Sequence, residues 1–152
     1  MFNSLAKEQR FTNGSESLEV VTEYVYLGQV VTADPDHERE ITRRTRMEWS
    51  AYGTFSQIMS GSLLISLKRK VYNSFILPVL TYGAETWRLT KRVQLKLRTT
   101  QRAMERKMIG VPLRDRKRAE WVREQTRVNN ILVEIKRKKW AWAGHVMRRQ
   151  DN

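Results

Sequence analysis

The stretch "KRVQLKLRTTQRAMERKMIGVP", residues 91–112, decides the fold. At about 100° per residue, Val93, Leu97, Thr100, Met104 and Met108 gather within about one quarter of a helical wheel. Lys91, Arg98, Arg102 and Arg106 gather directly opposite, with Leu95 as the exception. This is an amphipathic helix from about Lys91 to Ile109, stopped by Gly110 and Pro112. Its polar face is nearly all of one sign. A face that only solvates a helix mixes signs, because like charges at i,i+4 repel. Two readings of the stripe stand: a solvated face, or a surface for a polyanion.

Working outward, the chain after Pro112 predicts a shorter helix over about Asp115–Thr126 and a last one over about Asn130–Met147. On the last helix Val128, Ile131, Ile135, Trp142 and Val146 share a face, so Trp142 reads as core. Trp140 points away, one turn beyond Lys136 and Arg137, with Lys138, Arg148 and Arg149 adding to the basic run. An aromatic among cations suits base stacking; packing against another helix is the bland alternative, because an exposed Trp is uncommon. His145 reads as a hydrogen-bonded structural residue, since no ligand partner is visible for it.

Toward the N-terminus, a helix is expected from about Leu64 through "LKRKVYNSFIL", ended or kinked by Pro78. "VLTYGAETW" follows, apolar enough to be buried, with Gly83 permitting close packing or a bend. Before it, "ADPDHEREI" is a helix start. Asp34 caps, Pro35 suits the first helical position, and Asp36, Glu38 and Glu40 suit the positive end of the dipole. Ile41, Thr45, Tyr52, Phe55 and Met59 then share a face opposite Arg39, Arg43 and Arg46, and "SGS" at 60–62 ends the helix. Residues 8–32 read as two or three short strands, with a tight turn at Asn13-Gly14. So few strands are marginal alone, and an open edge invites self-association.

The chain has 152 residues and a formal net charge of +13. Residues 1–60 hold 6 Lys/Arg against 9 Asp/Glu, and residues 61–152 hold 23 against 7, so the halves carry −3 and +16. The polyanion reading therefore belongs to the second part. There is no cysteine, which excludes disulfides and thiolate catalysis and favours a reducing, intracellular setting, nuclear or cytoplasmic rather than secreted. No run of 18 apolar residues and no signal peptide are present, so no membrane partner is expected. His37 and His145 are the two histidines and stand far apart, so no metal site is expected. The sequence holds no Gly-rich phosphate loop, no G-x-S-x-G elbow and no H-E-x-x-H pair. Asp34 and Asp36 are better explained as helix-start residues than as magnesium ligands. No catalytic residue, cofactor or small-molecule substrate follows from this, and the chain does not read as a self-sufficient enzyme.

Four blocks carry a resemblance: "YVYLGQVVTADPDHEREITRRTR", "LPVLTYGAETW", "MERKMIGVPLRDRKR" and "KWAWAGHVMRRQDN". In this order and at about these spacings they resemble the reverse transcriptases of non-LTR retrotransposons, RTE-like elements above all, downstream of the polymerase active site. The resemblance runs from about Phe11 to Asn152. The family's E-I-x-x-R-I reads "EITRRT" here, with Thr45 in the usual apolar place. The resemblance implies that Tyr26, Leu27 and Gly28 are the primer-grip hairpin at the end of the palm. It makes the helices from Pro35 to about Met59 and from Leu64 onward similar to the thumb, and the rest a nucleic-acid-binding C-terminal extension. The family's catalytic block, an aromatic followed by Ala-Asp-Asp, is not in this sequence, nor is the N-terminal endonuclease. The chain is thus expected to be a fragment of a degraded element, clipped at its C-terminus as well.

The expected fold is mainly α, four to five helices behind a small N-terminal β-hairpin region. Three regions are expected: residues 1–33 from the palm, 34–87 thumb-like, and 88–152 a basic helical extension. Lys91, Arg98, Arg102, Arg106, Lys136, Arg137, Lys138, Trp140, Arg148 and Arg149 are the expected nucleic-acid contacts, with RNA or an RNA–DNA duplex as partner. Two other functions compete. Residues 90–147 would form a helix-turn-helix-like DNA reader, or the open reading frame would be non-functional and its product would not fold alone.

Overall fold

The computed structural model describes residues 11–13, 16–18, 21–32 and 38–148. The chain divides into two compact units, Met1–Asp36 and His37–Asn152. In the first, β1 (Phe11–Asn13) pairs antiparallel with β2 (Glu16–Leu18), with Asn13 opposite Glu16. The expected turn residue Gly14 lies outside the described residues. β3 (Glu23–Tyr26) pairs with β4 (Gln29–Thr32), with Tyr26 opposite Gln29. Leu27 and Gly28 join them at φ 47° and 73°, the positive pair that a two-residue type I′ turn needs. Glycine adopts this freely; for Leu27 the left-handed region costs about 1–2 kcal/mol. The described residues hold four strands in two separate two-stranded sheets, where two or three strands were expected. Every side chain of β3 is exposed.

The second unit is helical, so the fold is mainly α with a small N-terminal β-hairpin region. Helix α1 (Glu38–Thr54) has Glu38 and Glu40 in its first turn, where acids suit the helix dipole. The expected start residues Asp34, Pro35 and Asp36 lie outside the described residues. Ile41, Tyr52 and Met59 are buried as their spacing predicts. The single helix expected through Met59 is interrupted at Phe55, and α2 (Ser56–Ser60) resumes it. Gly61 closes it by donating its N–H to the Gln57 carbonyl at 3.1 Å. A Cβ there would fall 2.6 Å from that oxygen, so only glycine fits.

Pro78 does not end its helix. α3 (Ile65–Val71) runs into a wide π turn over Tyr72–Ile76, and α4 (Leu77–Leu80) follows with the proline in its first turn. The widened turn absorbs the missing N–H and the ring clash that a proline imposes. Gly83 then reverses the chain at φ 67°, and Leu80, Thr81, Ala84 and Trp87 are buried as expected.

Helix α5 (Lys91–Met108) begins where the Thr90 side chain accepts from the Val93 N–H at 3.2 Å, a cap of the usual kind. It stops before Gly110 at φ 69°. Val93, Leu97, Met104 and Met108 are buried. A short 3-10 turn over Leu113–Asp115 and Arg116 at φ 49° delay the next helix, so α6 spans Ala119–Thr126 rather than starting at Asp115. The last, α7, spans Ile131–Arg148. Ile41, Tyr52, Trp87, Leu97, Met104 and Ile135 share one core. The thumb-like and extension regions expected at 34–87 and 88–152 therefore form one unit.

The core ends sooner along α7 than its wheel suggests. Trp142 and Val146, expected inside, are 51% and 47% exposed. Periodicity fixes the azimuth of a residue but not how far the facing element reaches. Among the described residues, no helix is long and apolar enough to cross a membrane.

Candidate nucleic-acid interface

The basic stripe of α5 forms one wall of a groove. Arg98, Arg102 and Arg106 stand on that wall, Val111, Pro112 and Leu113 line the turn after Gly110, and Ala119, Glu120 and Arg123 come from α6. The groove encloses about 1130 Å³. Six cations line it: Arg98, Arg102, Arg106, Lys107, Arg114 and Arg123, against the one acid Glu120. Lys107, Arg114 and Arg123 were not expected there. Arg114 and Arg123 stand on other elements, and only the turn at Gly110 brings them opposite α5.

The stripe itself divides. Arg102 donates to the Glu105 carboxylate at 2.8 Å, with the two side chains 14% and 1% exposed. Glu105 also accepts from the Thr126 hydroxyl at 2.9 Å, so this cluster joins α5 to α6. Burial pushes the Glu105 carboxyl up, and Arg102, Thr126 and Arg123 hold it down. Burial likewise lowers Arg102, with Arg123 adding to the effect and Glu105 opposing it; a guanidinium stays charged regardless. Arg106 donates through Nη2 to the Lys117 carbonyl and so ties down the loop. Its Nη1 is buried with no partner among the described residues. Both side chains line the groove and hold it together. Arg98 and Arg123 are exposed, and among the described residues neither side chain makes a hydrogen bond or ion pair. Lys91, at the start of α5, is exposed and does not line the groove.

The expected residues of α7 lie outside the groove too. Lys136 is exposed, and Arg137 donates to Glu134 at 3.0 Å. Lys138 is turned inward: its ammonium donates to the Thr81 carbonyl at 2.7 Å, and burial lowers its pKa. Lys139 does the same to the Glu85 carbonyl at 2.7 Å. These two amines dock α7 on the turn after α4. Trp140 is 78% exposed, so it does not pack against a helix of this chain. The His145 side chain is exposed and makes no hydrogen bond among the described residues, contrary to the structural role expected of it. Arg148 is exposed, and Arg149 lies outside the described residues. Tyr26, Leu27 and Gly28 form the tip of the β3–β4 hairpin in the other unit.

Chemically, the groove offers cations and apolar surface but no paired carboxylates. Among the described residues no group of three or more His, Asp or Glu could hold a metal. The chain is similar to a protein of Caenorhabditis elegans described as transposon-derived and uncharacterized, with 32% identity over 157 aligned positions. The alignment takes in 98% of this chain and 56% of that protein, so the chain spans little more than half the relative's length. No family model and no solved structure matches the chain.

Proposed function

We propose that this chain is a transposon-derived remnant of a non-LTR reverse transcriptase, and that it binds nucleic acid through the groove between α5 and α6 without polymerising it. The C. elegans relative supports the transposon descent, and the four ordered blocks of sequence support the reverse transcriptase. One observation carries the binding. Six cations from three stretches of chain converge on one concave surface that holds a single acid. Such a surface takes phosphates, and each phosphate contact releases counterions, so log affinity falls by about 0.7–0.9 per contact against log salt.

Arg98→Gln combined with Arg123→Gln tests this. Both residues are exposed, so the thermal melt should hold. Binding to every sequence should weaken alike, and the salt slope should flatten by about 2 units. Salt-independent binding, or a double variant that binds as well as the parent, overturns the reading. Polymerisation by two metals needs carboxylates at the attacking and leaving oxygens, and the Ala-Asp-Asp block is absent from this sequence. Purified protein should therefore give no primer extension with Mg²⁺ or Mn²⁺.

A second reading rests on the connection Arg127–Asn130 between α6 and α7. Four residues is the length of a helix-turn-helix link, and α7 exposes Lys136, Arg137 and Trp140. Sequence-specific binding with a small salt slope would favour it.

A further inference from the structure

We infer that the α5–α6 groove selects an unpaired polynucleotide strand over a duplex, with bases lying on its apolar side chains and phosphates on its cations. The inference rests on the nucleic-acid reading above and adds a substrate class to it.

A site for duplex backbone alone needs only charge. This groove has a second component. Ala103, Val111, Pro112 and Leu113 interrupt the ring of cations. Leu113 is 79% exposed at the lip. Together these residues set apolar surface among the cations of the groove. A duplex keeps its bases stacked inside and shows phosphates and sugars to a surface, so it leaves such side chains uncovered. An unpaired strand carries both parts, and its bases can turn onto apolar surface while phosphates meet cations. Size agrees. About 1130 Å³ lies above the range of small-ligand pockets, roughly 300–1,000 Å³. A few unpaired nucleotides fit such a space. A second copy of the chain is the poorer occupant, because residues 61–152 carry a net +16 and two such surfaces repel.

The test uses the full chain and three probes: labelled oligothymidylate, labelled oligouridylate and an annealed duplex of equal length. At matched salt, the single strands should bind about tenfold tighter than the duplex, equivalent to about 1.4 kcal/mol. Leu113→Ser should remove most of that tenfold preference while leaving duplex affinity and the salt slope unchanged. Its exposure means the melt should not move. Ala103→Gln, which fills the groove from an exposed helical position without adding charge, should do the same. Equal affinity of the parent for strand and duplex, or a Leu113→Ser loss shared equally by both, overturns the selection and leaves the phosphate reading standing. Insensitivity to Arg98→Gln with Arg123→Gln overturns the phosphate reading itself. A parent that sediments as a dimer, and a Leu113→Ser variant that sediments as a monomer, would assign the lip to self-association instead.

Discussion

Glu48 shows how much a single buried group can set. It is fully buried on α1, accepts from the Tyr72 hydroxyl at 3.0 Å, and has no partner for Oε2 among the described residues. Burial pushes its carboxyl up to about 8, against the opposing pull of the Tyr72 hydrogen bond. The same burial and the neighbouring Glu48 push the Tyr72 phenol well up. The folded state therefore keeps a proton on Glu48 that the unfolded chain releases near its ordinary value of 4.5. Below that value both states are protonated and folding bears no penalty. As pH rises from there toward about 8, stability should fall, by on the order of 5 kcal/mol in full. Chemical denaturation across this window should show the decline, and Glu48→Gln should flatten it. A parent whose stability is constant from pH 5 to pH 8, roughly the range in which folded proteins are usually most stable, would contradict the assignment. Trp140 is the opposite case. With 78% of its surface in water, Trp140→Ala should leave the melt in place, and any loss of single-strand binding, roughly 1–3 kcal/mol per stacked base, would then be a loss of contact.

Among the elements, α5 carries the sharpest contrast. Arg98 and Arg102 are one turn apart on the same stripe, yet only Arg102 holds a buried carboxylate. Arg102→Gln leaves Glu105 without its charged partner and should cost about 1–3 kcal/mol, whereas Arg98→Gln should cost within about 0.5 kcal/mol. Urea melts of the two variants separate these outcomes; equal effects would place Arg102 on the surface. The wheel of α5 was legible because four apolar residues at helical spacing leave one solution. The division of its cations was not. Glu105 lies only at the flank of the apolar face, and its partner Thr126 is 21 residues away. The same holds for α7. The run at Lys136–Lys139 reads as one cationic surface, but its last two residues donate to the carbonyls of Thr81 and Glu85, which no local pattern announces. Pro78 was read as ending or kinking its helix because a proline removes a donor and clashes with the preceding turn; that the helix widens into a π turn instead of ending depends on the packing of Tyr72 and Ile76, both buried.

On the scale of the whole molecule, the two units differ in what holds them. All the buried apolar residues of the core, from Ile41 to Ile135, belong to the helical unit. Among the residues whose burial is described, β3 and β4 contribute none of them, and the side chains of Glu23–Tyr26 are all exposed. A two-stranded hairpin without a covered face is marginal in water. Residues 37–152 produced alone should therefore melt cooperatively, within a few degrees of the full chain, since a change of about 1 kcal/mol moves a domain of this size by only about 2–8 °C. They should also keep the salt-dependent binding, because the +16 of residues 61–152 stays with them. In the full chain, amide exchange at Val25 and Val30–Val31 should be far faster than at Leu97–Met104, which sit under the core and open only with global unfolding. Hairpin amides protected as strongly as those of α5 would show that the strands share the stability of the core. Loss of the melt on removing residues 1–36 would show the same by a second route, and would make the β region a structural necessity.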